Sequence, residues 1–344
     1  MSCDESGIRP PRPRGAFPRE RSRRAAERGQ DRDMSTPPPL RELHEIAAGV
    51  HVATAEIWTS LTTVVVSPDG RALVVDPGIT VAEVESLAAA IVRRGWRVTA
   101  GFSTHPHWDH VLWSRSLGDV PRWACPTAVR AQERSLAEDL VKVEREAPGH
   151  DLTLFGRLTP IPPSGTGDSL EAGPRDALHL PWPDGRGRAS ASGTAALPGA
   201  TPAAGDGPAV LVVEHQAHAP GHGALVLPGA GVIVVGDMLS DVEVPLLDLE
   251  SPDPVVEYRA GLDALEHAVS EHGVHTLVPG HGHVATGSDA IWERFGADRA
   301  YLDALEAAAD GDPDGPDGSD DPRVTGEWVV GEHRRQLDHL RGAR

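Results

Sequence analysis

Cysteine is nearly missing from this chain. Two residues, Cys3 and Cys125, cannot form a disulfide framework or a cysteine-built zinc site. Cys125, in the stretch RWACPT, reads as a small buried apolar residue, not a nucleophile. Long hydrophobic runs are also absent, so no segment approaches the length that spans a bilayer, and no membrane partner is expected. The N-terminus lacks the apolar core of a secretory signal. A reducing cytoplasm is the expected compartment. Positive charge is scarce as well. The net charge is −19, and a body that acidic repels phosphate backbones, so nucleic acid is not expected as a partner. No G-x-S-x-G motif is present, which leaves no signal for a serine nucleophile on an elbow turn.

The charge that is present is uneven. Residues 1–33 hold nine arginines against six acidic residues, which leaves the remainder more acidic still. Residues 1–39, rich in Arg and Pro, read as a disordered arm, and Met34 within it is a second candidate start. Residues 40–309 carry the ordered pattern, interrupted at 183–208 by a low-complexity Gly/Ala/Ser/Pro stretch that reads as a flexible insertion within one domain, with a domain linker as the rival. The stretch DGDPDGPDGSDDP (310–322) carries six aspartates among Gly and Pro. It lacks the ligand spacing of a calcium loop and reads as an acidic linker. Residues 323–344 form a C-terminal segment for which a helix is an option.

Within 40–309 the hydrophobic pattern alternates between short β-branched runs and helical spacing. LTTVVVSPDGRALVVDPG (61–78) predicts a hairpin around Pro68-Asp69-Gly70. A helix over 80–95, a strand over 97–104 and a helix over 127–146 follow. After the insertion comes a strand over 209–215. A second hairpin turns at Gly229-Ala230-Gly231, then a helix (253–271), a strand (274–282) and a helix (288–309). Two similar halves of this kind suggest two sheets packed face to face with helices outside.

The stretch THPHWDH (104–110) packs three histidines and an aspartate into seven positions. On a helix, residues two apart diverge by about 200°, so His105 and His107 would not share a face, and Pro106 opposes a helix here. In an extended segment His105, His107 and Asp109 point the same way, and His110 reaches a neighbouring point. Further ligand-type residues end apolar strands elsewhere: Asp76 ends ALVVD, His218 follows AVLVVEH, Asp237 ends VIVVGD, and His281 ends HTLVPGH. One such ending is an ordinary turn residue. Four of them, besides 104–110, form a pattern that chance does not explain. Trp108 has two readings, a pocket wall or packing under the loop. Glu243 and Asp248 read as solvated charges, with contact to a cationic group as the alternative, and His283 as a rim residue.

These motifs resemble those of the metallo-β-lactamase-fold superfamily. STHPHWDH resembles its HxHxDH signature, VVDPG its early Asp-Gly turn, VVGD its bridging-aspartate motif and VPGHG its last histidine motif. The resemblance covers about 45–310, on both sides of the low-complexity stretch. It implies an α+β fold, a four-layer αβ/βα sandwich of two mixed sheets with outer helices. It implies two divalent metal ions, Zn²⁺ foremost and Fe or Mn²⁺ as alternatives. His105, His107 and His218 would hold the first, Asp109, His110 and His281 the second, and Asp237 would bridge. The obvious Pro-Gly-His at His222 is the rival for the third histidine. The family spacing favours His218, which has Gly221 three residues on and Asp237 nineteen residues on. Asp76 would support a ligand histidine by hydrogen bonding. The implied chemistry is hydrolysis of a small ester, lactone or related bond by a metal-bound hydroxide, with Asp109 orienting the nucleophile. The alternatives are a mono-iron oxidoreductase of the persulfide dioxygenase type and a metal-binding member without catalysis. The run GDMLSDVEVPLLD lacks the Gly-Cys-Gly-Arg of glyoxalase II-like enzymes, and Ser240 stands where quorum-quenching lactonases place a tyrosine. A bridging Asp237 argues against primary β-lactamase activity. The expected partner is a small-molecule substrate.

Overall fold

A computed structural model describes residues 41–162, 178–182, 208–311 and 316–342. The predicted arm at 1–39, nearly all of the 183–208 insertion and part of the acidic linker lie outside the described residues.

Two mixed sheets face each other. The first runs β1 (His44–Ala47), β2 (Val50–Thr54), β3 (Leu61–Val66), β4 (Arg71–Val75), β5 (Arg97–Phe102), β6 (Arg122–Ala124) and β7 (Thr159–Pro160), in that spatial order. Its first four strands are antiparallel neighbours, and β4 to β7 are parallel. The second sheet contains β8 (Leu178–His179), β9 (Leu211–His215), β10 (His222–Leu227), β11 (Val232–Gly236), β12 (Thr276–Pro279) and β13 (Ala285–Thr286), ordered β13-β12-β11-β10-β9-β8. Among the described residues of this sheet, β11 and β12 run parallel and the other neighbours antiparallel. Five helices are described: α1 (Val81–Arg93), α2 (Pro126–Glu146), α3 (Pro254–Glu271), α4 (Ser288–Ala309) and α5 (Gly326–Gly342).

Local chemistry accounts for the helix starts. Thr80 and Glu83 form a reciprocal capping box at α1. Pro126 opens α2, and Asp253 followed by Pro254 opens α3, with the Asp253 carboxylate accepting from the Val256 amide. Alternation along the strands divides the core. Val65, Leu73, Phe102, Val212, Leu225 and Val234 meet between the sheets. Val64, Val74, Leu87 and Ile91 bury the outer face of the first sheet against α1. Val226, Ile233, Tyr258, Leu262 and Leu302 do so for the second sheet against α3 and α4. This is the four-layer sandwich that the sequence implied.

The sheets are stitched at one edge. The Leu61 amide donates to the Gly280 carbonyl at 2.7 Å, and Ser60 bridges to His281. That seam gathers the ends of β3, β4, β5, β11 and β12 at one place. Strands β1, β2, β6, β7, β8 and β13 are not legible in the sequence. They are two to five residues long, too short for a period of two to stand out in stretches such as HEIA and VHVAT. Among the described residues no helix is long and apolar enough to cross a membrane.

Candidate metal centre

The ligand-type side chains converge at the seam in two adjoining groups. His105, His107, His218 and Asp237 form one, and Asp109, His110 and His281 the other. Within each group one ligand atom per residue lies within 4.8 Å of the others. In the first group His107 Nδ1 stands 3.1 Å from His105 Nε2 and 3.0 Å from His218 Nε2. Asp237 faces both groups. Its Oδ2 lies 3.6 Å from His105 Nε2 and 3.5 Å from the Nε2 atoms of His218 and His281. Its Oδ1 lies 3.3 Å from His110 Nε2. Asp109 Oδ2 is 3.5 Å from His110 Nε2 and 3.6 Å from His281 Nε2. His107 is the exposed member, at the mouth of the site.

The donor set fits divalent cations. His110 Nε2 and Asp237 Oδ1 are buried and lie 3.3 Å apart, and neither has an aligned hydrogen-bond partner among the described residues. Four of the five histidines engage their other ring nitrogen, which fixes the ring and leaves the inward nitrogen for a cation. His105 Nδ1 meets Thr104 Oγ1 at 3.0 Å, and His218 Nδ1 meets the Leu246 carbonyl at 3.0 Å. His281 Nδ1 meets the Trp58 carbonyl and Ser60 Oγ, each at 3.3 Å. His110 Nδ1 meets Asp76 Oδ2 at 3.0 Å. Asp76 also accepts from the Thr104 hydroxyl at 2.7 Å and the Thr104 amide at 3.0 Å. One buried carboxylate therefore braces a histidine of each group, His110 directly and His105 through Thr104. Asp76 contributes its support from a left-handed backbone, φ 48°.

Electrostatics separates the two groups. Burial holds His105 well below the usual histidine range and pushes His218 down to about 4. Burial also disfavours charge on His110 and His281, but carboxylates overcome it. Asp237, Asp109 and Asp76 hold His110 well above the usual range, and Asp237 with Glu243 does so for His281. Asp237 is held well below the carboxylate range, against burial, by His110, His281 and His105.

His222 lies outside both groups. It begins β10, is fully buried, and packs behind His105 with ring centres 4.8 Å apart. Its Nδ1 meets the Ala217 carbonyl at 3.3 Å, while its Nε2 has no partner among the described residues. Gly236 leaves the room it needs, since a Cβ there would sit 2.2 Å from His222 Nε2. His218, by contrast, turns into the cluster on a left-handed backbone, φ 66°. His215 is a buried strand residue beside His222, and His283 is exposed and pairs with Asp241 at 3.0 Å.

Trp108 is buried among Val111, Leu112 and Val143, so it packs under the loop. The aromatic beside the cluster is Trp58, edge-on to His281 at 6.1 Å. Glu243 corrects a reading made from sequence. It is not a solvated charge but half-buried, and burial next to Asp237 and Asp109 pushes it up to about 7, although His281 pulls it down. Trp58, Ser60 and Leu246 were missed because they act through backbone carbonyls or a common hydroxyl, which carry no sequence signature. Thr104 stood within the quoted motif.

The C-terminal segment reaches this site. Arg323 is buried, pairs with Asp298 at 2.5 Å and Asp321 at 2.9 Å, and donates to the Ser240 carbonyl at 3.1 Å. The Ser240 hydroxyl donates to the His281 carbonyl at 2.7 Å and accepts from the amides of Val242 and Glu243. From α5, Gln336 accepts from the Leu247 amide at 2.6 Å, next to the carbonyl that holds His218.

A family model described as the metallo-beta-lactamase superfamily matches residues 57–314. Among solved structures, the chain is similar to a beta-lactamase domain protein from Burkholderia ambifaria, with 18% identity, 90% of each chain covered and a TM-score of 0.55. It is also similar to the stereoselective inverting sec-alkylsulfatase Pisa1 from Pseudomonas sp., at 14% identity and a TM-score of 0.56. That match covers 88% of this chain and 50% of the other. No curated protein matches it. At these identities the structural likeness shows the fold.

Proposed function

The chain belongs to the metallo-beta-lactamase superfamily, and on that footing we propose that it is a dinuclear metal-dependent hydrolase acting on a small ester, lactone or related bond. The observation that carries this reading is the pair of adjoining ligand groups with Asp237 facing both. Two divalent cations held there, Zn²⁺ foremost, would lower the pKa of water to about 7 and polarise the substrate oxygen. His105, His107 and His218 would ligate one, and Asp109, His110 and His281 the other.

The chain's own residues do the rest. Asp109, partly open to solvent, would orient the attacking water and hold its proton. The buried Asp76 and Thr104 keep the imidazoles aimed inward. Trp58 offers an apolar wall beside His281 for the body of the substrate. Glu243, near neutrality, is placed to exchange a proton with a leaving group at the rim. We place the reaction in a reducing cytoplasm, with a small molecule as the partner.

The test is a panel of chromogenic esters, lactones, β-lactams and phosphodiesters with the metal-loaded enzyme, beside a metal analysis. Ester or lactone turnover with two Zn or Mn per chain is expected, and His107→Ala should abolish it. No turnover of any member, or a single Fe with oxygen uptake, would overturn the reading.

A further inference from the structure

A cavity of about 370 Å³ lies against β6, and its lining shares no residue with the metal centre. Trp113, Arg115, Arg122, Leu154 and Arg157 line it, together with Asp119. Three guanidinium groups around one hollow are unexpected in a chain of net charge −19.

Arg122 is the anomaly. It pairs in register with Gly101 of β5. A Cβ on Gly101 would sit 2.7 Å from the Trp113 ring and 3.1 Å from Arg122 Cγ, so the bare glycine lets both side chains lie on the sheet. The guanidinium stacks over Trp113, 5.5 Å from the ring centre. Arg122 is 6% exposed, yet its Nη1 has no hydrogen-bond partner, and no carboxylate lies within 4.0 Å of it among the described residues. Burial, with Arg157 adding repulsion and Asp119 partly offsetting it, pushes it down to about 10, so it stays charged at neutral pH. Buried charges are ordinarily paired, because desolvation is expensive and an opposite charge must offset it. Arg115 is already satisfied by Asp151 at 2.6 Å. Arg157 is exposed at the cavity mouth and has no partner among the described residues.

We propose that this cavity is an anion-binding site, in which Arg122 and Arg157 grip an oxyanion group of a small molecule whose apolar part lies on Trp113 and Leu154. The oxyanion is a phosphate or a carboxylate, since planar guanidinium donors fit both. The site rests on its own geometry and stands whether or not the metal centre is hydrolytic.

Calorimetric titration of the metal-loaded full chain decides it, with inorganic phosphate in one arm and benzoate in the other. At least one probe is expected to bind the wild type and His218→Ala alike, and to bind Arg157→Ala and Arg122→Met at least tenfold more weakly. The stronger arm identifies the group. Arg122→Met should also raise Tm without ligand, because it removes an unpaired buried charge. If neither probe binds, the proposal is overturned. So does binding that vanishes in His218→Ala and persists in the arginine variants, which would place the anion at the metal centre. Should Arg122→Met fail to fold, the exposed Arg157 decides alone, and unchanged binding in Arg157→Ala overturns the site.

Discussion

Asp76 shows how much a single side chain can organise. Its carboxylate takes a ring nitrogen of His110 and, through the Thr104 hydroxyl, orients His105. Removing it should loosen both ligand groups at once. Asp76→Ala is expected to weaken metal binding by about 10–100-fold, the usual effect of losing an outer-shell partner, measured by chelator competition. The two neighbouring histidines provide a sharper contrast. His218→Ala should lose a metal equivalent. His222→Ala should keep the full metal content and instead show a lower Tm, because a fully buried ring behind His105 is replaced by a cavity. A loss of metal in His222→Ala and not in His218→Ala would reverse the assignment.

At the scale of elements, the segment that follows the family match, the turn before α5 and α5 itself, is tied into the site. The pair formed by Arg323 and Asp298 is buried, and Arg323 also holds the Ser240 turn under the His281 carbonyl. Breaking a buried pair typically costs about 3–5 kcal/mol. Arg323→Ala should therefore lower stability in a denaturant titration. It should also raise KM more than it lowers kcat, because the Ser240–Glu243 turn at the rim loses its anchor. Arg323→Lys restores the charge but not the fork, so a partial rescue of both properties is expected. Equal KM values in the wild type and Arg323→Ala would confine the residue to a structural role.

Across the whole molecule, the two ligand groups differ in how they compete with protons. His110 and His281 sit among carboxylates and are held above the usual histidine range, so protons displace a cation there early as pH falls. His105 and His218 are held low by burial, the latter at about 4, and keep their lone pairs to much lower pH. Proton binding opposes cation binding, so the group with raised values empties first. Metal content after dialysis from about pH 8 to pH 4 should fall in two steps, the first equivalent leaving from the Asp109–His110–His281 group. His281→Ala should abolish the first step and leave the second. A single step in the wild type would show that the groups titrate as one.

The sequence by itself determined the periodic elements and the identity of the ligand-type residues. The runs at 61–66, 71–75, 224–227 and 232–236 are dominated by β-branched and apolar residues because their faces are buried, and α1 carries a capping box and an apolar face. The motif is not the extended segment that its spacing suggested: 104–110 bends and then turns, with the His110 amide on the His107 carbonyl at 3.0 Å, and this sends His105 and His107 to one ligand group and Asp109 and His110 to the other. What the sequence could not hold is the meeting of distant strand ends. Choosing His218 over His222 depends on a left-handed turn at 218 and on the room left by Gly236, both set by packing between β10, β11 and the Thr104 loop. The supports from Trp58, Ser60 and Leu246 are backbone or hydroxyl contacts, which any residue or many residues could supply. Arg122 likewise reads as one more surface arginine. Only the sheet that buries it, with no partner for its Nη1 among the described residues, makes it a candidate for a ligand. Residue types fix the available chemistry, whereas burial and direction come from contacts between segments far apart in the chain, and these decide which residues can use it.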